Sequence, residues 1–506
     1  MRIFYFLGFF LSLSALHAQK HDYNWLFCLN QDGGIPDSEA SRLDFSRRPP
    51  GITPFQAPIS FDGTTAMISD AEGQLLFYSN GCRIINAAHQ LMENGDSLNP
   101  GQIFDGWCDT ALLIPAYPAG TQSGMVLPDP GDDQVYHFFH NKIILVSEPS
   151  LAVFTTELFR TTVDLRFNDG LGKVTEKNIP VLSDTLSAAE LTAVKHANGR
   201  DWWIICAQWH SNEYYTIRLS DGGMDTIFLQ TIGKPATRYG GQTVFSPDGS
   251  LYARYSVDDD LFLYDFDRST GLLSNFQFIP VEDEEDDLGG AGLAFSPSSR
   301  FLYASYQNFI YQFDLQAANV AASRTIVAEW DGFVDFYTTQ FRRAQLGPDC
   351  KIYVFTGSGQ YIHVIHEPDV AGAACRVEQR AVELPWDYFR AAPLFPHYRL
   401  GPLEDPGEPC SPVTSVQEVV VPGGGDFRIL PNPASGQITL EMEEGGLRPE
   451  QMILYDATGR AVHTYDGRLL SSQSTLPLPA LPSGLYWVQV RTQDQQVFVR
   501  RLIIQQ

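Results

Sequence analysis

Basic residues are scarce in this chain: 34 lysines and arginines stand against 60 aspartates and glutamates, for a formal net charge of −26 at pH 7. A field of that sign repels phosphate backbones and anionic lipid, so no nucleic-acid partner is expected. Cysteine is sparse, seven in 506 residues, with no C-x-x-C pair and no cysteine/histidine metal spacing, so no metal site of that kind is expected. Beyond the N-terminus no apolar run approaches the roughly 20 residues of a membrane helix, so no transmembrane span is expected. The 3.6-residue apolar period of helices is nearly absent, which argues against an α/β sheet. Also missing are a G-x-S-x-G elbow, an H-E-x-x-H pair and a phosphate-cradling glycine loop.

What is present begins with an export signal. Met1-Arg2, an apolar run from Ile3 to Leu16 and small residues up to Ala18 read as a secretory signal over 1–18. Hydrophobic content of 44%, with 12% aromatics, is that of a globular chain. The length implies two domains. In an exported chain disulfides are expected, and the reading pairs Cys82 with Cys108 and Cys375 with Cys410.

The middle of the chain repeats itself. "TVFSPDGSLYARYS" from Thr243 returns as "LAFSPSSRFLYASY" from Leu293 and "AQLGPDCKIYVFTG" from Ala344, and looser copies start at Ala66, Met125 and Thr192. Each copy reads as strand, tight turn, strand: proline sets the turn, Asp or Ser bonds its own backbone, and a small residue absorbs the bend. Two more strand-like runs follow each hairpin, and four strands per 40–50 residues is the pattern of a β-propeller blade. Six blades are thus visible, and a seventh can be assembled from "PLFPHYRL" (393–400) as inner strand with "YNWLFCLN" and "SRLDFS" near the start. Seven blades are expected over 19–403, with six or eight left open. The runs "TTAMISDAEGQLLFYSNGCRIINAAHQLMENGD", "LTAVKHANGRDWWIICAQWHSNEYYTIRLSDGG" and "HYRLGPLE" resemble the WD40-like propeller proteins secreted by Bacteroidetes, a resemblance that carries no catalytic residues with it.

A Pro-, Gly- and Ser-rich stretch, 404–426, reads as a linker. After it come "RILPNPASGQITLEMEE", "MILYDATGRAVHTY", "LPSGLYWVQVRT" and "VFVRRLII", all alternating strands, so the fold class is all-β throughout and 427–506 is expected to be a small Ig-like β-sandwich. The positions Pro431, Asn432, Pro433, Asp456, Gly459, Arg460, Pro482, Gly484 and Tyr486 resemble the type A C-terminal sorting domain of the type IX secretion system. That resemblance implies the secretion machinery and its surface sortase as partners, and delivery to the cell surface or the medium.

Chemistry is harder to find. His137/His140 and His363/His366 are three apart, which on a strand puts the two rings on opposite faces. Lys195 and His196, in a turn between two strands of a blade, are the candidate ligand-binding pair. No cofactor is expected. Calcium is the one cation raised, by Glu282–Asp287 and Asp258-Asp259-Asp260, although neither follows a calcium-loop pattern. The Trp202, Trp203, Trp209, Tyr214, Tyr215 group reads either as blade packing or as a sugar-stacking surface. The leading expectation is a non-enzymatic exported binding protein for an unknown protein or glycan. A channel-based hydrolase or lyase, and a structural part of a surface or gliding complex, are the alternatives.

Overall fold

The computed structural model describes residues 19–504 apart from 30–37, 62, 109–115, 147–151, 237–240, 257, 282–289, 391, 411–426, 443–448, 457–460, 467–469, 472, 480 and 493–496. The chain divides into two compact units, Met1–Pro412 and Val413–Gln506. The signal segment, the acidic run at 282–287 and most of the linker lie outside the described residues.

The first unit holds seven antiparallel sheets among its described residues, the blades of the propeller. The six sequence hairpins supply the first two strands of blades two to seven; in blade five, for example, Gln242–Phe245 pairs with Leu251–Ser256, followed by Asp260–Asp267 and Leu272–Ile279. Their turns work as the composition implies. In blade five the Asp248 carboxylate accepts from the Ser250 amide at 3.0 Å, and Gly249 has φ 72°. A Cβ at Gly249 would sit 2.7 Å from Arg268 and 2.8 Å from Leu400, so glycine is needed there for space as well as for conformation. Cys350 takes the matching left-handed place in blade seven, with φ 67°.

The first blade is made by Asn24–Leu29, Ser38–Asp44 and Gly51–Ala57. Trp25 and Phe27 pack with Tyr353, Phe355 and Tyr388 of blade seven, which closes the ring and protects strand edges that would otherwise be open. Residues 393–400 do take a place beside the innermost strands, but not as the expected strand. They form no ladder of their own, and several of them line the central cavity; Pro393 and Pro396 have no N–H to donate.

The disulfides are Cys82–Cys108 and Cys350–Cys410. The expected Cys375–Cys410 bond is not formed. Cys375 is a buried free thiol, packed in a cluster with Ala294, Tyr303 and Ile352, while Cys410 reaches the turn that holds Cys350. The ordered path of the propeller therefore continues past Leu403 to Cys410.

In the second unit one sheet carries Phe427–Ser435, Gln437–Met442 and Gln473–Pro477, and a second carries Pro449–Asp456, Ala461–Asp466, Gly484–Thr492 and Val497–Ile504. Ile438, Leu440 and Leu476 from the first sheet meet Met452, Leu454, Val488, Val490 and Leu502 from the second in a shared core, as in a sandwich.

Candidate functional site

The bore of the propeller is the first place to look for chemistry, and it is filled. Three glutamines stitch its walls together. Gln122 crosses to blade five, donating from Nε2 to the Thr243 carbonyl at 2.8 Å and accepting from the Thr243 amide at 2.9 Å. Gln242 crosses onward: its Oε1 accepts from the Leu293 and Ala344 amides, both at 3.0 Å, and its Nε2 donates to the Ala344 carbonyl at 2.6 Å. Gln345 accepts from the Phe395 amide at 3.0 Å. Each primary amide presents one donor and one acceptor face, as a peptide group does, so these side chains make peptide-like pairings between inner strands of different blades and, through Gln345, with the 394–399 segment.

The 394–399 segment lines the bore together with the inner strands. Tyr398 donates to the Val126 carbonyl at 2.7 Å, and buried Arg399 pairs with buried Asp22, one contact at 3.0 Å. A cavity of about 70 Å³ lies there, lined by inner-strand residues together with Asp22, His397 and Arg399. Burial, with Arg399 and Arg268 nearby, pushes His397 down to about 3. It is therefore a neutral imidazole at ordinary pH, and Asp22 is already committed to its arginine.

Lys195 and His196 are brought together, but in their own turn. Lys195 is buried, with its ammonium 3.9 Å from the Trp202 ring centre and donating to the Arg200 carbonyl at 3.2 Å; burial pushes it down to about 7. His196 accepts from the Asn198 amide at 3.0 Å. Arg268 donates to both of their carbonyls. Trp202, Trp203 and Tyr214 are buried between blades, and their aromatic faces are used in packing.

The histidine pairs are divided as strand geometry demands. His137 meets Asp129 at 2.8 Å, while His140 faces the interior against Asn99 and Thr161. His363 donates to the Thr339 carbonyl at 2.9 Å, and His366 meets Glu378 at 2.8 Å. Among the described residues no three His, Cys, Asp or Glu side chains converge on a common point. Of the aspartate trio, Asp259 bonds Ser256, and Asp260 accepts from the Val281 amide.

Sequence reasoning missed the most exposed apolar feature of the propeller. Between blades six and seven, Val334 and Thr338 bridge antiparallel, leaving Asp335, Phe336 and Tyr337 as a three-residue loop. Phe336 at its apex is 85% exposed. Around it, Phe336 and Tyr337 meet edge to face at 5.0 Å, Tyr337 lies 6.4 Å from Phe389, and Phe333 lies 5.8 Å from Tyr361. The signal was faint: in "EWDGFVDFYTTQF" Trp330, Phe333, Tyr337 and Phe341 fit a 3.6-residue period, and Phe336 is the one aromatic that falls outside it.

In the second unit, Pro431, Asn432 and Pro433 are exposed. They lie within one strand that leaves the first sheet after Leu430 and joins the second at Ala434, opposite Ile504. Two prolines without N–H groups suit a segment that pairs with neither sheet, and Asn432 accepts from the Ile503 amide at 2.9 Å. Tyr486 donates to the Pro482 carbonyl at 2.9 Å, and Asp456 stands opposite Tyr486 in the ladder. Gly459 and Arg460 lie outside the described residues.

Residues 428–505 match the model of the secretion system C-terminal sorting domain. The second unit is an export address. The sorting domain marks the chain for type IX export to the cell surface or beyond, and the secretion machinery is therefore its partner. Among the described residues no helix is long and apolar enough to cross a membrane. No curated protein matches the chain. Among solved structures, a protein from Lactobacillus plantarum is 14% identical over 72% of this chain and 98% of its own, with a TM-score of 0.41. The Cps50 (Swd1) β-propeller domain of Myceliophteria thermophila is 11% identical over 66% and 93%, at 0.34. A streptogramin B lyase is 10% identical over 72% and 87%, at 0.33.

Proposed function

We propose that the exported propeller is a binding protein that works through its rim and not through its bore. The observation that carries this reading is the filled channel: glutamine braces, the 394–399 segment and the Asp22–Arg399 pair leave about 70 Å³, far below the several hundred Å³ of an ordinary ligand pocket. The 331–339 loop stands on the same ring of blades with its base tied by side-chain hydrogen bonds, which lowers the ordering cost of binding.

The rival reading, a hydrolase or lyase, would draw on the ionisable groups at the channel end, Asp22, His397 and Arg399. The test sets the two against each other. Purified full-length chain is assayed for turnover of lactone, ester and glycan chromogens, and separately for saturable retention on intact producing cells. Saturable retention without turnover supports the binding reading. Turnover that is abolished by His397→Ala would replace it with the enzyme reading.

A further inference from the structure

The loop between blades six and seven is built to hold an apolar side chain in water. Its base is fixed from several directions. The Trp330 indole donates to Thr339 Oγ1 at 3.1 Å, Thr339 Oγ1 donates to the Phe333 carbonyl at 2.9 Å, and buried His363 holds the Thr339 carbonyl at 2.9 Å. Arg380 grips Asp331 with two hydrogen bonds, 2.9 and 2.5 Å, while its guanidinium covers the Phe333 ring at 4.5 Å. Nothing in this scaffold requires the apex to be apolar, since Phe336 touches only Tyr337 among the rings. An exposed phenylalanine at the apex of a loop whose base is tied down has the form of an anchor side chain at a protein interface, where aromatic groups entering a desolvated pocket dominate affinity.

Charge narrows the choice of partner. Asp335 beside the apex and Glu383 on the adjoining strand, which stands opposite Tyr361, are exposed carboxylates that make no ion pair among the described residues. The chain as a whole carries −26, so two copies repel at long range and self-association through this loop is disfavoured. A convex apex with a ring that has no polar handle also suits a pocket better than it suits a sugar face. Resting on the binding reading above, we propose that the 331–339 loop docks a protein partner through Phe336, which enters an apolar pocket rimmed by lysine or arginine side chains.

The experiment places p-benzoylphenylalanine at position 336 of the full-length chain, incubates it with intact producing cells and identifies the photo-crosslinked product by mass spectrometry. The same probe at position 227, an exposed isoleucine on blade four, is the control. The expected product is one protein, attached within an apolar pocket bordered by basic residues and absent from the control. Its yield should fall at least about tenfold in the Asp335→Lys/Glu383→Lys variant and should also fall as salt rises. Phe336→Ala should weaken cell retention by about tenfold or more. Crosslinking to a second copy, to glycan alone or to nothing overturns the proposal, as does a product indifferent to charge reversal. If Phe336→Ala chains still bind cells as wild type does, this docking site is wrong and the binding reading survives. If wild-type chain does not bind cells at all, the binding reading fails with it.

Discussion

Replacing Gln242 by methionine tests whether glutamines hold the bore together. The side chain keeps its length and loses its amide, so two buried amides, Leu293 and Ala344, and one buried carbonyl, Ala344, lose their partner together. At about 1–3 kcal/mol for each buried group left unpaired, the change costs at least about 3 kcal/mol. That is a large share of a typical folding stability of about 5–15 kcal/mol. Gln242→Glu separates the donor from the acceptor. A carboxylate still accepts from both amides but opposes the Ala344 carbonyl, so its folded pKa is raised. The stability of the variant relative to wild type is then greatest at low pH and is lost as pH rises through that raised value. Urea unfolding of both variants from pH 4 to 8, with amide exchange at Leu293 and Ala344, reads these effects. A methionine variant within about 1 kcal/mol of wild type, with unchanged exchange at those two amides, would refute the bracing role.

Three further outcomes are expected. Removing the Cys350–Cys410 bond by a double alanine substitution frees a loop of 60 residues and should cost about 4 kcal/mol by loop-closure entropy; unfolding midpoints with and without the bond check it, and equal midpoints would contradict it. Burial holds His140 and His397 down to about 3, and His21 and His363 down to about 4. With folded values depressed below the ordinary value near 6.5, the stability they support is complete above pH 6.5 and is lost as pH falls toward 3, with a slope approaching about 1.4 kcal/mol per pH unit for each histidine. His140→Gln should flatten the curve, and a flat wild-type curve from pH 6.5 to 4 would contradict the assignment. Arg399→Met leaves the Asp22 carboxylate buried without its cation and should destabilise by about 3–5 kcal/mol, while Asp22→Asn with Arg399→Met should recover much of that; chemical denaturation of the three chains decides it.

The blade hairpins were legible because their information is local: Pro247, Asp248 and Gly249 fix a turn whatever lies around them, and the alternation on either side gives the strands. The sandwich was legible for the same reason, through Ile438, Leu440, Val488 and Val490. Long-range choices were not. Cys375 and Cys410 are nearer in sequence than Cys350 and Cys410, yet the path of 393–410 brings the latter two together. Gln122 and Gln242 look like ordinary polar residues beside a strand until the inner strands they join are placed. Lys195 looked available because it sits beside a turn, and only the fold shows Trp202 beneath its ammonium. Phe336 posed the opposite problem, since an aromatic in a sequence of aromatics reads as core, and its exposure depends on a loop that closes through Val334 and Thr338.

The most direct test of an address joined to a separate rim-binding propeller is the intact mass and location of the protein in its own cells, with and without residues 427–506. The expected result is full-length-encoded propeller outside the cell, its mass showing the sorting domain removed, while the truncated chain stays in the periplasm. Equal export of both forms, with the tail retained on the wild type, would contradict the address and make the sandwich a working part of the mature protein.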